Sequence, residues 1–279
     1  MFKLALIVFS GACMLSVPSY AQGINFSSSG EGAIEVTAAD GIELHQKENK
    51  IIARKKALAV RGNSKLSADT IEAEYRQSSG KGTEIWRLMA INNVVMTSEK
   101  EKALGDTAEF TIDNGLLVIK GAPARFVTPE DVVTADVLEY WQNQNLVIAK
   151  ENAKIVRENR MISADVISAL FKKNKEGKME IEKMQADGNV LIKTENEQAS
   201  GERATYNPKT GIAILLGKVK LTQKDNYMTG AKAVVNMKTG ISKLYATAPE
   251  LGENKNARVK GVFLPEDAKK SKKEVDSKY

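Results

Sequence analysis

One cysteine and one histidine in 279 residues leave almost none of the side chains from which metal sites and nucleophile–histidine pairs are built. That scarcity speaks against an enzyme of those classes and gives no reason to expect a cofactor. Aromatic side chains make up only 6%, too few for the stacking subsites of a polysaccharide-active enzyme. A strong charge of one sign is missing as well. Forty-one Lys+Arg against 35 Asp+Glu give +6, spread along the chain, which is no footprint for nucleic acid. No Gly-rich phosphate loop is present, so any driving energy must come from a partner. Nor does any apolar run reach the ~20 residues of a membrane-spanning helix. The best attempt, Leu4 to Val17, is interrupted by Ser10, Gly11 and Ser16 and followed by Pro18.

That run has the features of an export signal. Lys3 supplies the positive start, the apolar stretch has signal length, and Ser19-Tyr20-Ala21 places small residues at the two positions read for cleavage. Cys13 is not read as a lipidation site, because Ser10 stands where a large aliphatic belongs. Removal of residues 1–21 leaves 279 − 21 = 258 residues with no cysteine and a charge of 6 − 1 = +5, since Lys3 is the one charge lost. An exported chain without disulfides must be held by its core and hydrogen bonds, which this length allows.

The dominant feature is a repeat. Six units each open on a small residue, usually followed by an acid and then by alternating apolar positions. They are Ala68-Asp69 with Ile71, Ala73 and Tyr75; Gly105-Asp106 with Ala108 and Phe110; Ala135-Asp136 with Leu138 and Tyr140; Ala164-Asp165 with Ile167, Ala169 and Phe171; Gly201-Glu202 with Ala204 and Tyr206; and Gly230-Ala231 with Ala233 and Val235. Gly115, Asn145, Gly211 and Gly240 fall ten residues after the small residue of four units, in turn-forming strings. Each unit therefore reads as strand, hairpin loop, strand. Three units are duplicated: 68 to 164 and 105 to 201 both span 96 residues, and residues 67–121 laid over 163–217 without a gap share 17 of 55 positions. About three would match by chance at roughly 6% identity per position.

A helix is the one local rival. Thr128-Pro129-Glu130-Asp131 has the look of a capped start, and Val133, Val137, Tyr140 and Trp141 would share its face. The equivalent slots of other units, 105–115 and 230–240, are Gly-bounded and poor for a helix, so strand is expected throughout. Asp69, Asp106, Asp136 and Asp165 invite a catalytic reading. Catalysis by paired carboxylates needs unlike environments, whereas these occupy one slot in successive repeats. They read as corner residues that accept hydrogen bonds where the chain bends. His45 reads as a solvated surface residue, and Trp86 and Trp141 as packing. Residues 34–62 look like a degenerate first unit capping one end. After Leu244 the pattern stops; a last apolar patch, Val259, Val262, Phe263 and Leu264, precedes a Lys-rich tail with no face to bury.

The segments Leu66 to Tyr75 and Ile162 to Phe171, the strands Ala90 to Met96 and Ala186 to Ile192, and the ending Gly230 to Leu244 resemble the OstA-like (LptA) family, over residues 34 to 244, in a layout similar to the LptA homologues of alphaproteobacteria. The resemblance implies an all-β, elongated antiparallel curled β-jellyroll built from the six strand-hairpin-strand repeats. With the signal peptide at 1–21, the jellyroll is expected over 22–248, its duplication, read from the repeat, at about 67–145 and 163–240, and a C-terminal segment, 249–279, follows with a tail whose composition reads as disordered. The duplicated length and the Lys-rich tail depart from the shortest members of the family. The resemblance further implies a periplasmic, non-enzymatic protein that shields the lipid A acyl chains of lipopolysaccharide in an apolar trough. Its partners would be an LptC-like inner-membrane protein, an LptD-like outer-membrane protein and, head to tail, copies of itself. Along each strand the alternating apolar residues must point one way. The acyl-contact set expected on that face is Ile71, Val94, Phe110, Leu138, Ile148, Ile155, Ile167, Phe171, Val190, Ile192, Tyr206 and Val219. Two rivals share the repeats: a structural or adhesive β-solenoid with a solidly packed interior, and a polysaccharide-active β-solenoid enzyme.

Overall fold

The computed structural model describes residues 34–78, 82–177, 179–236, 238–239, 241–252 and 258–264. The expected signal peptide and the Lys-rich tail lie outside the described residues. The chain is all-β, with strands β1 (Glu35–Thr37), β2 (Gly41–His45), β3 (Lys50–Arg61), β4 (Ser64–Ser78), β5 (Gly82–Thr97), β6 (Lys102–Thr111), β7 (Leu116–Val127), β8 (Val132–Trp141), β9 (Leu146–Arg157), β10 (Arg160–Lys173), β11 (Met179–Lys193), β12 (Glu197–Asn207), β13 (Ile212–Gln223), β14 (Asn226–Asn236), β15 (Ile241–Tyr245) and β16 (Lys260–Val262). The segment 128–141 is a turn and strand β8, not a helix. The six small residues of the repeat fall inside the six strands β4, β6, β8, β10, β12 and β14, and each following strand is the return arm of its hairpin.

The described residues form two compact units, one built from those between 34 and 158 and from Ser163–Met184, the other from Asn159–Ile162 and those between 185 and 264. In the first, strands pair antiparallel in chain order from β3 to β9, with β1 and β2 side by side along the outer edge of β3. In the second, β12, β13, β14 and β15 pair in order. Here the last apolar patch finds a place: β16 pairs with Tyr227–Thr229 of β14, beyond the reach of β15, and the backbone N–H of Leu264 donates to Asn226 Oδ1 at 2.9 Å. A short 3-10 turn, Pro249–Leu251, brings Ala248 and Leu251 against Leu216 and Ala231 on the outer face of β13 and β14, and the Lys232–Glu250 ion pair closes over it.

Candidate functional site

The ladders from β3–β4 to β8–β9, and those of β12–β13 and β13–β14, break register at the repeat's small residue. Bulges of this kind bend a strand sharply. The return arms turn there through paired residues in the left-handed region: Lys55-Lys56, Asn92-Asn93, Glu151-Asn152, Gly188-Asn189 and Gly217-Lys218. Asn tolerates this conformation better than most residues, and Gly best of all. The residue after each bend is fully buried: Ala57, Val94, Ala124, Ala153, Val190 and Val219 are all at 1% exposure or less. Across the ladder its partner is matched in size, Ala57 facing Ala68, Val94 facing Gly105, Ala124 facing Ala135 and Val219 facing Gly230. The glycines are obligatory there, since a Cβ on Gly105 would sit 2.6 Å from Ile119 Cγ2 and 2.7 Å from the Lys120 carbonyl oxygen.

The repeated acids stand beside these bends on the outer side. Asn93 Nδ2 donates to Asp69 Oδ2 at 2.9 Å and Asn152 Nδ2 to Asp136 Oδ2 at 2.7 Å, so the acid braces the left-handed residue opposite it. In the second unit Lys218 plays the same part for Glu202. The rest of the outer face carries ionic ladders. Arg87 bridges Glu109 at 2.7 Å and Glu74 at 3.2 Å, and Arg76 bridges Glu84 and Asp113, both at 2.8 Å. His45, on the surface strand β2, hydrogen-bonds Glu43.

The inward face is apolar. In the first unit the cross-strand rows run Ile71, Ala90, Ala108, Ile119, Leu138, Ala149 on one side of the bend and Leu66, Met96, Ala103, Phe126, Val133, Ile155 on the other. Residues from both sides, Leu66 and Met96 together with Leu88, Phe110 and Leu117, line one cavity of about 20 Å³, so the strands fold over at the bend and press their two halves together. Of the expected acyl-contact set, Ile71, Leu138 and Ile155 belong to these inward rows, Phe110 lines the cavity, and Val94 is fully buried opposite Gly105. Ile167 is buried and Phe171 half-buried, in the β10 slots that correspond to Ile71 and Tyr75 of β4. In the second unit Val190 and Val219 are fully buried, and Ile192 and Tyr206 half-buried. Ile148 is the exception. It stands opposite Glu139, on the outer face, while its neighbours Val147 and Ala149 face Tyr140 and Leu138 inside. The strands that carry the small residue change side-chain parity at the bend, as from Val133 to Tyr140. β9 bends through its left-handed pair and keeps parity, so Val147, Ala149, Ala153 and Ile155 share a face and Ile148 cannot join them.

One inward residue has no counterpart in that set. Glu101, two positions before Ala103 on β6, is 8% exposed and is the one buried charged side chain among the described residues. Burial pushes its carboxyl up to about 7 against a slight opposing pull from the Ser98 hydroxyl.

A family model described as LptA/(LptD N-terminal domain) LPS transport protein matches residues 35–145 and 132–241. The chain belongs to this LPS transport family. The two overlapping matches run from the start of β1 to the start of β15, so the first copy of the duplication and the second each carry the family's pattern. A similar solved structure is that of LptH from Pseudomonas aeruginosa, described as the LptA homologous periplasmic component of the conserved lipopolysaccharide transport device. It is 17% identical, with a TM-score of 0.41 over 48% of this chain and 95% of that one. No curated protein matches the chain. In this member of the family no helix of the described residues is long and apolar enough to cross a membrane.

Proposed function

We propose that the chain is a periplasmic lipopolysaccharide carrier that shields lipid A acyl chains against the inward face of its bent strands and bridges inner- and outer-membrane components. The observation that carries this reading is the unbroken apolar row from Ile71 across β4 to Leu138 and Ala149, backed by an outer face of ion ladders. Exposing an acyl chain costs ~0.8 kcal/mol per CH₂, so a twelve-carbon chain left in water costs about 10 kcal/mol. An apolar lining removes that cost. The cavity of about 20 Å³ between Leu66, Met96 and Phe110 has room for a water molecule and no acyl chain, so a chain enters at that point only if the residues lining it part. The acyl contacts proposed are Ile71, Val94, Phe110, Leu138, Ile155, Ile167, Phe171, Val190, Ile192, Tyr206 and Val219. The partners proposed are LptC-like and LptD-like domains and further copies joined head to tail. Cleavage after Ala21 delivers the chain to the periplasm.

Site-specific photocrosslinking in cells tests this. A photoreactive side chain at Phe110 or Ile192 is expected to label lipopolysaccharide, and one at the outward positions Glu109 or Lys193 is not. Equal labelling from both faces, or none from either in a folded and exported protein, would leave the structural β-solenoid as the better account.

A further inference from the structure

Turns of one design link one hairpin to the next at three places. Ser98-Glu99-Lys100-Glu101, Thr128-Pro129-Glu130-Asp131 and Thr194-Glu195-Asn196-Glu197 each join the first residue's N–H to the last residue's carbonyl oxygen at 2.9 Å. The last acid is provided for differently in each. Asp131 has Arg157, whose Nε donates to Oδ1 at 2.7 Å and whose second nitrogen reaches Oδ2. Glu197 has the Gln223 amide at 3.0 Å. Glu101, among the described residues, has the Ser98 hydroxyl, which donates to its Oε2 at 3.3 Å. The strand it leads into is flanked on both sides: Met96 of β5 and Phe126 of β7 stand opposite Ala103, and Thr97 and Val127 opposite Lys102. The titratable group facing it is Tyr140 of β8, whose phenol is pushed up by burial and by the Glu101 charge. Glu99, Lys100 and Lys102, its neighbours along the chain, are exposed.

We propose that Glu101 is a proton-operated latch on the apolar interior of the first unit. With its carboxyl protonated, the Ser98–Glu101 turn stays folded over the inward rows of β5, β6 and β7. With the carboxylate formed, the turn swings out to water and lets the interior admit an acyl chain. The step moves one proton between the carboxyl and solvent and needs no other reactant. It deepens the carrier reading and rests on it for the identity of the cargo.

The sign follows from the two conformations. Closed, the carboxyl titrates near 7; in water it titrates near its ordinary value of 4.5. The closed state therefore binds the proton more tightly and is favoured at low pH, and its advantage is lost progressively between pH 4.5 and 7. From pH 5 to pH 8 the ratio of open to closed turn is expected to rise roughly 70-fold.

Amide hydrogen exchange on the full chain, corrected for intrinsic rates, measures this without lipid. Exchange over residues 98–104 is expected to accelerate by that factor between pH 5 and pH 8, with residues 128–132 unchanged, and in Glu101→Gln the acceleration disappears. Persistence of the rise in Glu101→Gln, or its absence in the parent, would overturn the latch. Carboxyl-resolved NMR on the parent chain gives a second measurement that requires no variant: a Glu101 midpoint near 4.5 overturns the proposal and one near 7 supports it. Repeating the exchange with purified lipid A separates the two ideas. Opening that tracks lipid A uptake supports both, whereas opening with no uptake at either pH supports the latch and removes the carrier reading.

Discussion

The turns Ser98–Glu101 and Thr128–Asp131 lie in one unit, share a backbone hydrogen bond of 2.9 Å, and each end on an acid, yet they treat that acid in opposite ways. Asp131 is 17% exposed and held by an Arg157 that is itself 10% exposed, with Glu130 3.3 Å from the same guanidinium. Glu101 is more deeply buried and has a hydroxyl. Backbone geometry does not decide whether a buried carboxyl keeps its charge; the partner does. A cation at hydrogen-bond distance offsets desolvation, and a single neutral donor does not.

The comparison is broken most severely by Arg157→Ala. Leaving half-buried Asp131 without its cation is expected to cost about 2–3 kcal/mol, below the range for a fully buried pair, read as a fall in the denaturation midpoint at pH 7. Glu101→Gln comes next and has the opposite sign. Its amide keeps the shape and removes the charge, so the variant is expected to be more stable than the parent by about 1–3 kcal/mol at pH 8 and no more stable at pH 4. Matched urea melts at the two pH values check this, and a loss of stability at pH 8 contradicts the reading of Glu101. Gln223→Ala removes the amide from Glu197, whose carboxyl burial already pushes upward. A loss of about 1 kcal/mol is expected. Asp136→Asn, at the bend, is the smallest. It weakens one exposed brace to Asn152 and is expected to cost about 0.5–1 kcal/mol, with lipid labelling per folded molecule unchanged.

Much of the architecture was legible because the bend leaves a mark in the chain. A small residue must sit where the ladder breaks, as the 2.6 Å approach to Gly105 shows, and an acid beside it braces the opposite arm. Six such marks in phase disclose six hairpins and outweigh the helix-like opening at Thr128. The failure at Ile148 comes from the same device. In the β8–β9 hairpin only the first arm shifts its parity at the bend, and nothing in the residues of β9 taken alone tells which arm it is. The Val259–Leu264 patch finds its partner in the unpaired half of β14, a vacancy that depends on where β15 ends. Glu101 was hidden for a different reason. A string reading Ser-Glu-Lys-Glu has the composition of a solvated turn, and only the fold-over at the bend turns its last residue inward. The signal that could have found it is its identity with Glu197 across the duplication, in a motif that begins with Ser or Thr.

The pairing of each strand with its neighbours in the chain has a kinetic consequence. From β3 to β9 every ladder joins segments that adjoin in the sequence, so no distant parts must find one another before contacts begin to form. Such a topology has the low contact order of fast folders, despite being built only of strands. Nucleation can occur at any hairpin and spread in both directions, as in a one-dimensional array. A chain that emerges gradually, end first, needs only one finished arm as the template for the next.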